Sequence, residues 1–205
     1  MYKGIDVSRW QGNIDFTKVK ASGVQFVIVK AGGSDAGFYT DKNFNQNVQA
    51  AQNAGLAVGA YYFVGKGCKS AKDGIADAIR FSHIIKPYKF EYPVYIDFEA
   101  PDASNKQGNT EACLGFCRYM ESLGYYAGIY ASDISGFKDR LNIDQLNAFD
   151  KWVARYGSEP KYVKSWGIWQ SGSNGIVPGI NGRVDLNTSK NNYPQIMRTY
   201  HLNGF

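Results

Sequence analysis

Residues 25–64 read QFVIVKAGGSDAGFYTDKNFNQNVQAAQNAGLAVGAYYFV. Gln25–Lys30 is a short apolar run rich in β-branched residues, which predicts a strand. Asp41–Ala54 is amphipathic and predicts a helix, with Asp41 as its cap and Gly55 as its stop. Leu56–Val64 predicts the next strand. Strand, helix and strand in that order predict a parallel pair joined by a crossover.

The pattern continues on both sides of this unit. Upstream, Lys3–Ser8 reads as a strand and Phe16–Ser22 as a short helix stopped by Gly23. Downstream come a helix at Ser70–Ile85 closed by Pro87, a strand at Tyr92–Phe98, a helix at Thr110–Leu123 and a strand at Tyr125–Ala131. Thr110 is read as the cap of its helix and Gly124 as its stop. Beyond that the helices shorten to Ile143–Phe149, and Trp152–Arg155, Gly167–Gln170 and Arg183–Leu186 read as three more strands. Eight strands with helices after the first four predict an α/β fold, a TIM-type (β/α) barrel with its last helices reduced. A doubly wound open sheet is the alternative. No Gly-rich phosphate loop follows the first strand, which counts against nucleotide folds. The 205 residues fit a single domain.

In Val94-Tyr95-Ile96-Asp97-Phe98-Glu99, alternate residues share a face. If Val94, Ile96 and Phe98 pack against the helices, Asp97 and Glu99 point into the barrel at the C-terminal end of the strand, where barrel enzymes keep their chemistry. Asp6 lies between Ile5 and Val7, and Asp185 between Val184 and Leu186, in the same manner. Four carboxylates from three strands then converge on one mouth. Like charges in a confined site cannot all ionise, so one carboxyl holds its proton to higher pH. A protonated carboxyl beside an ionised one is the pairing that glycoside hydrolysis needs. Taken singly, each Asp also reads as a cap or turn residue. Aromatics stand at the same strand ends: Tyr61, Tyr62 and Phe63, then Tyr130, then Trp169 beside Gln170.

Composition narrows the classes further. No apolar run approaches the length of a membrane span, and Met1–Asp6 lacks the apolar stretch of a signal peptide. Cys68, Cys113 and Cys117 read as reduced residues. With only His83 and His201 present, zinc sites and His-dependent nucleophile systems lose support. No metal and no cofactor is expected. The net charge of +5 fits an ordinary basic protein, or one that prefers an anionic partner such as nucleic acid or an acidic cell wall. The basic residues are dispersed, with no Lys/Arg run, which argues against nucleic acid. Fifteen tyrosines suit either a wet groove that stacks on flat ligands or an aromatic core rim.

The opening Gly4-Ile5-Asp6-Val7-Ser8-Arg9-Trp10-Gln11-Gly12-Asn13-Ile14-Asp15-Phe16 resembles that of glycoside hydrolase family 25, the Chalaropsis-type lysozymes found among bacterial autolysins and phage endolysins. Tyr95–Glu99 resembles the family's Asp-x-Glu strand. Trp152–Tyr156, Ile168-Trp169-Gln170 and Val184-Asp185-Leu186-Asn187 match later motifs in order, so the resemblance runs from about residue 3 to 189. It implies a modified barrel with five regular β/α units and three further strands. The implied activity is that of an N-acetylmuramidase cutting the β-1,4 bond between N-acetylmuramic acid and N-acetylglucosamine in peptidoglycan. On this resemblance Glu99 is the general acid, Asp97 the second key carboxylate, and Asp6 and Asp185 supporting carboxylates that raise Glu99 or hydrogen-bond Asp97. Tyr62, Tyr130, Trp169 and Gln170 would line the substrate groove. Relatives often carry His where Tyr62 stands, and often add wall-binding repeats. Residues 1–190 are therefore expected to form the catalytic barrel, and 191–205 a C-terminal tail or the start of a linker to a wall-binding module.

The implied partner is the anionic bacterial wall, reached after synthesis in the host cytoplasm, by holin assistance or release on lysis if the gene is a phage's. Three rivals stand beside this reading. A chitinase-like hydrolase would want an Asp where Tyr95 stands. A glycan-binding barrel without activity would have lost Asp97 or Glu99. A metal-dependent phosphoesterase would use the four carboxylates as ligands. The sequence leaves oligomeric state open.

Overall fold

The stretch at 26–33 is apolar without alternation because both of its faces are covered. In the computed structural model, which describes residues 1–205, it forms β2 (Phe26–Gly33). Phe26 and Ile28 pack inside a closed barrel, while Val27, Val29 and Ala31 pack outside it, under the helices. The other strands are β1 (Tyr2–Val7), β3 (Tyr39–Thr40), β4 (Ala57–Phe63), β5 (Val94–Asp97), β6 (Ala127–Ser132), β7 (Asp150–Ala154), β8 (Ile168–Gly175) and β9 (Val184–Ser189). Eight of them close in the order β1-β2-β4-β5-β6-β7-β8-β9, and β9 pairs with β1 to seal the barrel. The short β3 is an antiparallel flap on the end of β2.

The barrel is mixed. Neighbours from β1 to β8 run parallel, but β9 is antiparallel to both β8 and β1. This corrects the wholly parallel sheet expected above. The connection from Gly175 to Val184 is too short for a parallel crossover, which needs a dozen or more residues, so the chain turns back as a hairpin.

Helices α1 (Phe16–Ala21), α2 (Phe44–Asn53), α3 (Ala71–Ile85) and α4 (Lys106–Ser122) cover the outside. The fifth β/α unit, after β6, is reduced to a π-turn at Asp133–Lys138 and a 3-10 turn at Ile143–Leu146. Two caps differ from expectation. Asn43 is the N-cap of α2, and Asp41 instead accepts from the backbone of Asn43 and Arg9. α4 begins four residues before Thr110, capped by Asn105. The Thr110 hydroxyl donates back to the Lys106 carbonyl, so a residue read as a cap is a mid-helix side chain satisfied locally.

The barrel interior is a column of aromatic rings. Phe26 stacks on Tyr92 with centroids 4.2 Å apart, and Trp152 packs against Tyr130 at 4.5 Å and Tyr95 at 5.3 Å. Gly4 and Gly128 make room for this column: a Cβ at either would overlap the ring of Phe26 or of Tyr95. The segment expected to be a tail or linker folds in part as α5 (Tyr193–Thr199) and closes the barrel floor. Tyr193 and Met197 are fully buried there. Asn203 donates to the carbonyls of Phe90 and Tyr92 and accepts from the backbone of Tyr126, so it binds the loops feeding β5 and β6. With the floor filled, a ligand has access to the interior from the C-terminal strand ends. No helix is long and apolar enough to cross a membrane.

Candidate active site

The alternation along each strand decides what faces the open end. On β5, Val94, Ile96 and Phe98 pack outward and Tyr95 and Asp97 inward, as the sequence predicted. On β1 and β9, Asp6 and Asp185 are paired residues of the antiparallel ladder, both facing inward. These residues and Glu99 line one cavity of about 290 Å³ at the mouth, with Tyr61, Lys30, Trp152 and Gln170 among its walls. The four predicted carboxylates are thus brought together.

Asp6 is the most tightly held. Its Oδ2 accepts from Asn187 Nδ2 at 2.7 Å and from Gln170 Nε2 at 2.9 Å. Each amide is oriented from below: Trp152 Nε1 donates to Asn187 Oδ1 at 2.8 Å, and the Tyr130 hydroxyl to Gln170 Oε1 at 2.9 Å. An indole N–H only donates, so the Asn187 amide has one orientation, with its N–H facing Asp6. Oδ2 is therefore an acceptor, and the proton of Asp6 belongs on the other oxygen, toward Asp185. Burial pushes the Asp6 carboxyl up to about 8; the charge of Asp185 adds to the rise, and the two amides oppose it. Asp185 is raised by burial and lowered by its hydrogen bond from Asp6. Burial and mutual repulsion make it unfavourable for both members of the pair to ionise.

Asp97 is 4% exposed and its Oδ1 accepts no hydrogen bond from the protein. Burial raises it well above the usual carboxylate range, the charge of Glu99 adds to this, and Lys30 opposes it. Glu99 stands at the mouth with an edge open to solvent. The surrounding wall raises its carboxyl, Lys30 and Arg140 pull it down, and Asp185 pushes it up. The charge of Glu99 in turn adds to the rise of Asp6.

Two groove residues expected from the resemblance lie elsewhere. Tyr62 is 1% exposed on the outer face of β4, packed on Phe81 of α3, with its hydroxyl unpartnered. Strand alternation gives the cavity to Tyr61 and Phe63 instead. Trp169 also points outward. Its Nε1 donates to the Arg155 carbonyl at 2.7 Å and its ring packs near Trp166, while its neighbours Ile168 and Gln170 face in. Tyr130 and Gln170 do line the cavity. Sequence reasoning gave no site role to Lys30, Trp152 or Asn187, and named Tyr61 only as one of three aromatics at the end of its strand. Counting by two along β4 finds Tyr61; nothing local marks Lys30, whose aliphatic neighbours make it look like the end of a core strand.

The family model for glycosyl hydrolases family 25 matches residues 5–180. The autolytic lysozyme of Clostridium acetobutylicum is 31% identical over 185 residues, spanning 90% of this chain and 54% of that protein. The CTP1L endolysin superposes with a TM-score of 0.83 at 25% identity, covering 97% of this chain and 70% of that one. The modular autolysin LytC from Streptococcus pneumoniae, solved in complex with a synthetic peptidoglycan ligand, gives 0.77 at 27% identity, covering 91% and 46%. The chain spans about half to two thirds of the length of the curated relatives it matches first.

Proposed function

This chain belongs to glycosyl hydrolase family 25, and from that premise we propose that it is an N-acetylmuramidase. It hydrolyses the β-1,4 bond between N-acetylmuramic acid and N-acetylglucosamine in bacterial peptidoglycan. The observation that carries this reading is the juxtaposition of Asp97, at the end of β5, and Glu99, two residues beyond it, both lining the open mouth with raised carboxyls. Relatives named as lysozyme and autolysin support the substrate.

Asp97 and Glu99 share the task of holding a proton, because ionising both in one confined site is unfavourable. In the free enzyme Asp97 has no protein donor on Oδ1. A bound sugar whose acetamido N–H meets Oδ1 stabilises the ionised form of Asp97 and leaves the proton on Glu99. Glu99 then donates that proton to the departing glycosidic oxygen as the C1–O bond breaks. The acetamido oxygen, oriented by Asp97, attacks C1 to form a cyclic intermediate. Glu99, now a carboxylate, takes a proton from the water that opens it. Attack by Asp97 itself is the alternative. The two-residue spacing of Asp97 and Glu99 in one cavity favours the assisted route, and a covalent adduct on Asp97 seen by mass spectrometry would exclude it. The Asp6–Asp185 pair holds the floor, and the aromatic wall of Tyr61, Tyr130 and Trp152 excludes water from one side.

The deciding experiment is product analysis on purified peptidoglycan, wild type beside Glu99→Gln. Fragments are reduced with borohydride and identified by mass spectrometry. Reduced muramic acid ends formed by wild type and lost in the variant are expected. Reduced glucosamine ends would place the cut at the other bond, and retention on the wall without cleavage would make the barrel a binding module. The protein acts at the wall after cytoplasmic synthesis, and its positive charge makes wall binding weaken with salt.

A further inference from the structure

Arg9 and Trp10 project from the mouth on a turn that is pinned from three sides. Ser8 and Gln11 close a capping box around it. The Arg9 backbone donates to Asp41 Oδ2 at 3.1 Å, and Asn43 Nδ2 donates to the Gly12 carbonyl at 3.1 Å. This rigid turn presents a tryptophan that lines the catalytic cavity yet is 77% exposed. The Arg9 guanidinium lies over that indole, 5.1 Å from its centroid, and 5.7 Å from the ring of Tyr39. Lys30 reaches the same Tyr39 ring at 5.8 Å and the Phe63 ring at 4.4 Å. Neither cation forms an ion pair. Aromatic faces hold both charges in place without an ion pair.

The two cations differ in what they do to the site. Lys30 acts on Asp97 and Glu99. Arg9 is not among the leading influences on any of the four carboxylates. Arg9 is exposed, next in the chain to Trp10, and does not itself line the cavity. An exposed indole on a rigid turn stacks a sugar face, and a guanidinium fork takes a carboxylate. In peptidoglycan the two come together at a muramic acid residue, whose lactyl arm carries a peptide stem with free carboxylates.

We propose that the Arg9–Trp10 turn is the docking site of the acidic peptide stem, and that Arg9 is a specificity-determining residue for strands with ionised stems. This deepens the muramidase reading and rests on it. The site lies on the lip formed by the ends of β1 and β2, so the muramic acid ring sits on that side of the mouth and its stem leaves across Trp10 toward Tyr39.

The test compares two soluble glycan strands of equal length. One carries native acidic stems; in the other, the stem carboxylates are converted to carboxamides with carbodiimide and ammonia. Wild type is expected to cleave the acidic strand with a kcat/KM about tenfold above the amidated one, the size of one charge-assisted hydrogen bond. Arg9→Gln should bring that ratio near one, through a larger loss on the acidic strand than on the amidated one. Lys86→Gln removes the same charge from the outer surface and should leave the wild-type ratio in place. Equal cleavage of both strands by wild type would overturn the proposal. So would an equal loss on both strands in Arg9→Gln, or a ratio that falls as far in Lys86→Gln, which would assign the preference to overall charge. Cleavage of neither strand by wild type would instead remove the muramidase reading itself.

Discussion

Asp6→Asn should change the pH dependence of stability in a direction opposite to that of an ordinary salt-bridged acid. Asp6 is 6% exposed, and its carboxyl is pushed up to about 8 from an unfolded value near 3.8. Between those values the folded protein keeps the proton that the unfolded chain has lost. Each pH unit in that window therefore costs the wild type about 1.4 kcal/mol of folding free energy at this one position. Asparagine is the neutral isostere of protonated Asp6. Its carbonyl accepts from Asn187 and Gln170 as Oδ2 does, and its amide donates toward Asp185 in place of the carboxyl proton. The variant keeps the hydrogen bonds and loses the titration. Relative to wild type it should gain about 3 kcal/mol between pH 5 and pH 7, with the gain levelling off above about pH 8. Urea unfolding of both proteins at pH 5, 6, 7 and 8 gives the difference, which includes any change in the titration of Asp185, the partner of Asp6. A difference that is flat across this range, or that favours wild type as pH rises, would refute both the protonated state of Asp6 and the orientation of Asn187 from which it was derived.

Two further outcomes follow from the site. Lys30→Met removes the positive charge that holds Asp97 and Glu99 down, so the alkaline limb of kcat/KM, assigned under the proposed mechanism to loss of the Glu99 proton, should move to higher pH; an unmoved limb would show that Lys30 does not act on the acid. Tyr62→Phe deletes a buried hydroxyl with no partner and should leave wall hydrolysis unchanged while stability rises by up to about 1 kcal/mol; a tenfold loss of activity would return Tyr62 to the groove.

The barrel was legible because its strands are buried on both faces and its helices announce their ends with Gly23, Gly55 and Gly124. All three have positive φ, a conformation that costs glycine little. The four carboxylates were legible because an acid flanked by apolar neighbours on a buried strand has one direction left to point. Tyr62 and Trp169 were misplaced because each was chosen for its position in a motif, whereas the side of the strand is set by the period of two. The antiparallel β9 was readable only from the length of the connection before it. Helix α5 was hidden because Tyr193 and Met197 meet a barrel floor assembled from strand starts far away in sequence. Asn187 and Trp152 had no local signal of function, since their role lies in a hydrogen bond between β7 and β9.

The contacts between β1 and β9 set an order of events in the life of the chain. Asp6 leaves the ribosome well before Asn187, which holds it and lies 181 positions later. Until β9 emerges, Asp6 lacks Asp185, and the barrel has an open seam along β1. A nascent chain therefore carries Asp97 and Glu99 without the floor beneath them. Closure of the seam is a late contact between distant segments and a slow one. Hydrolytic competence would then appear in one step, after synthesis has passed Asn187.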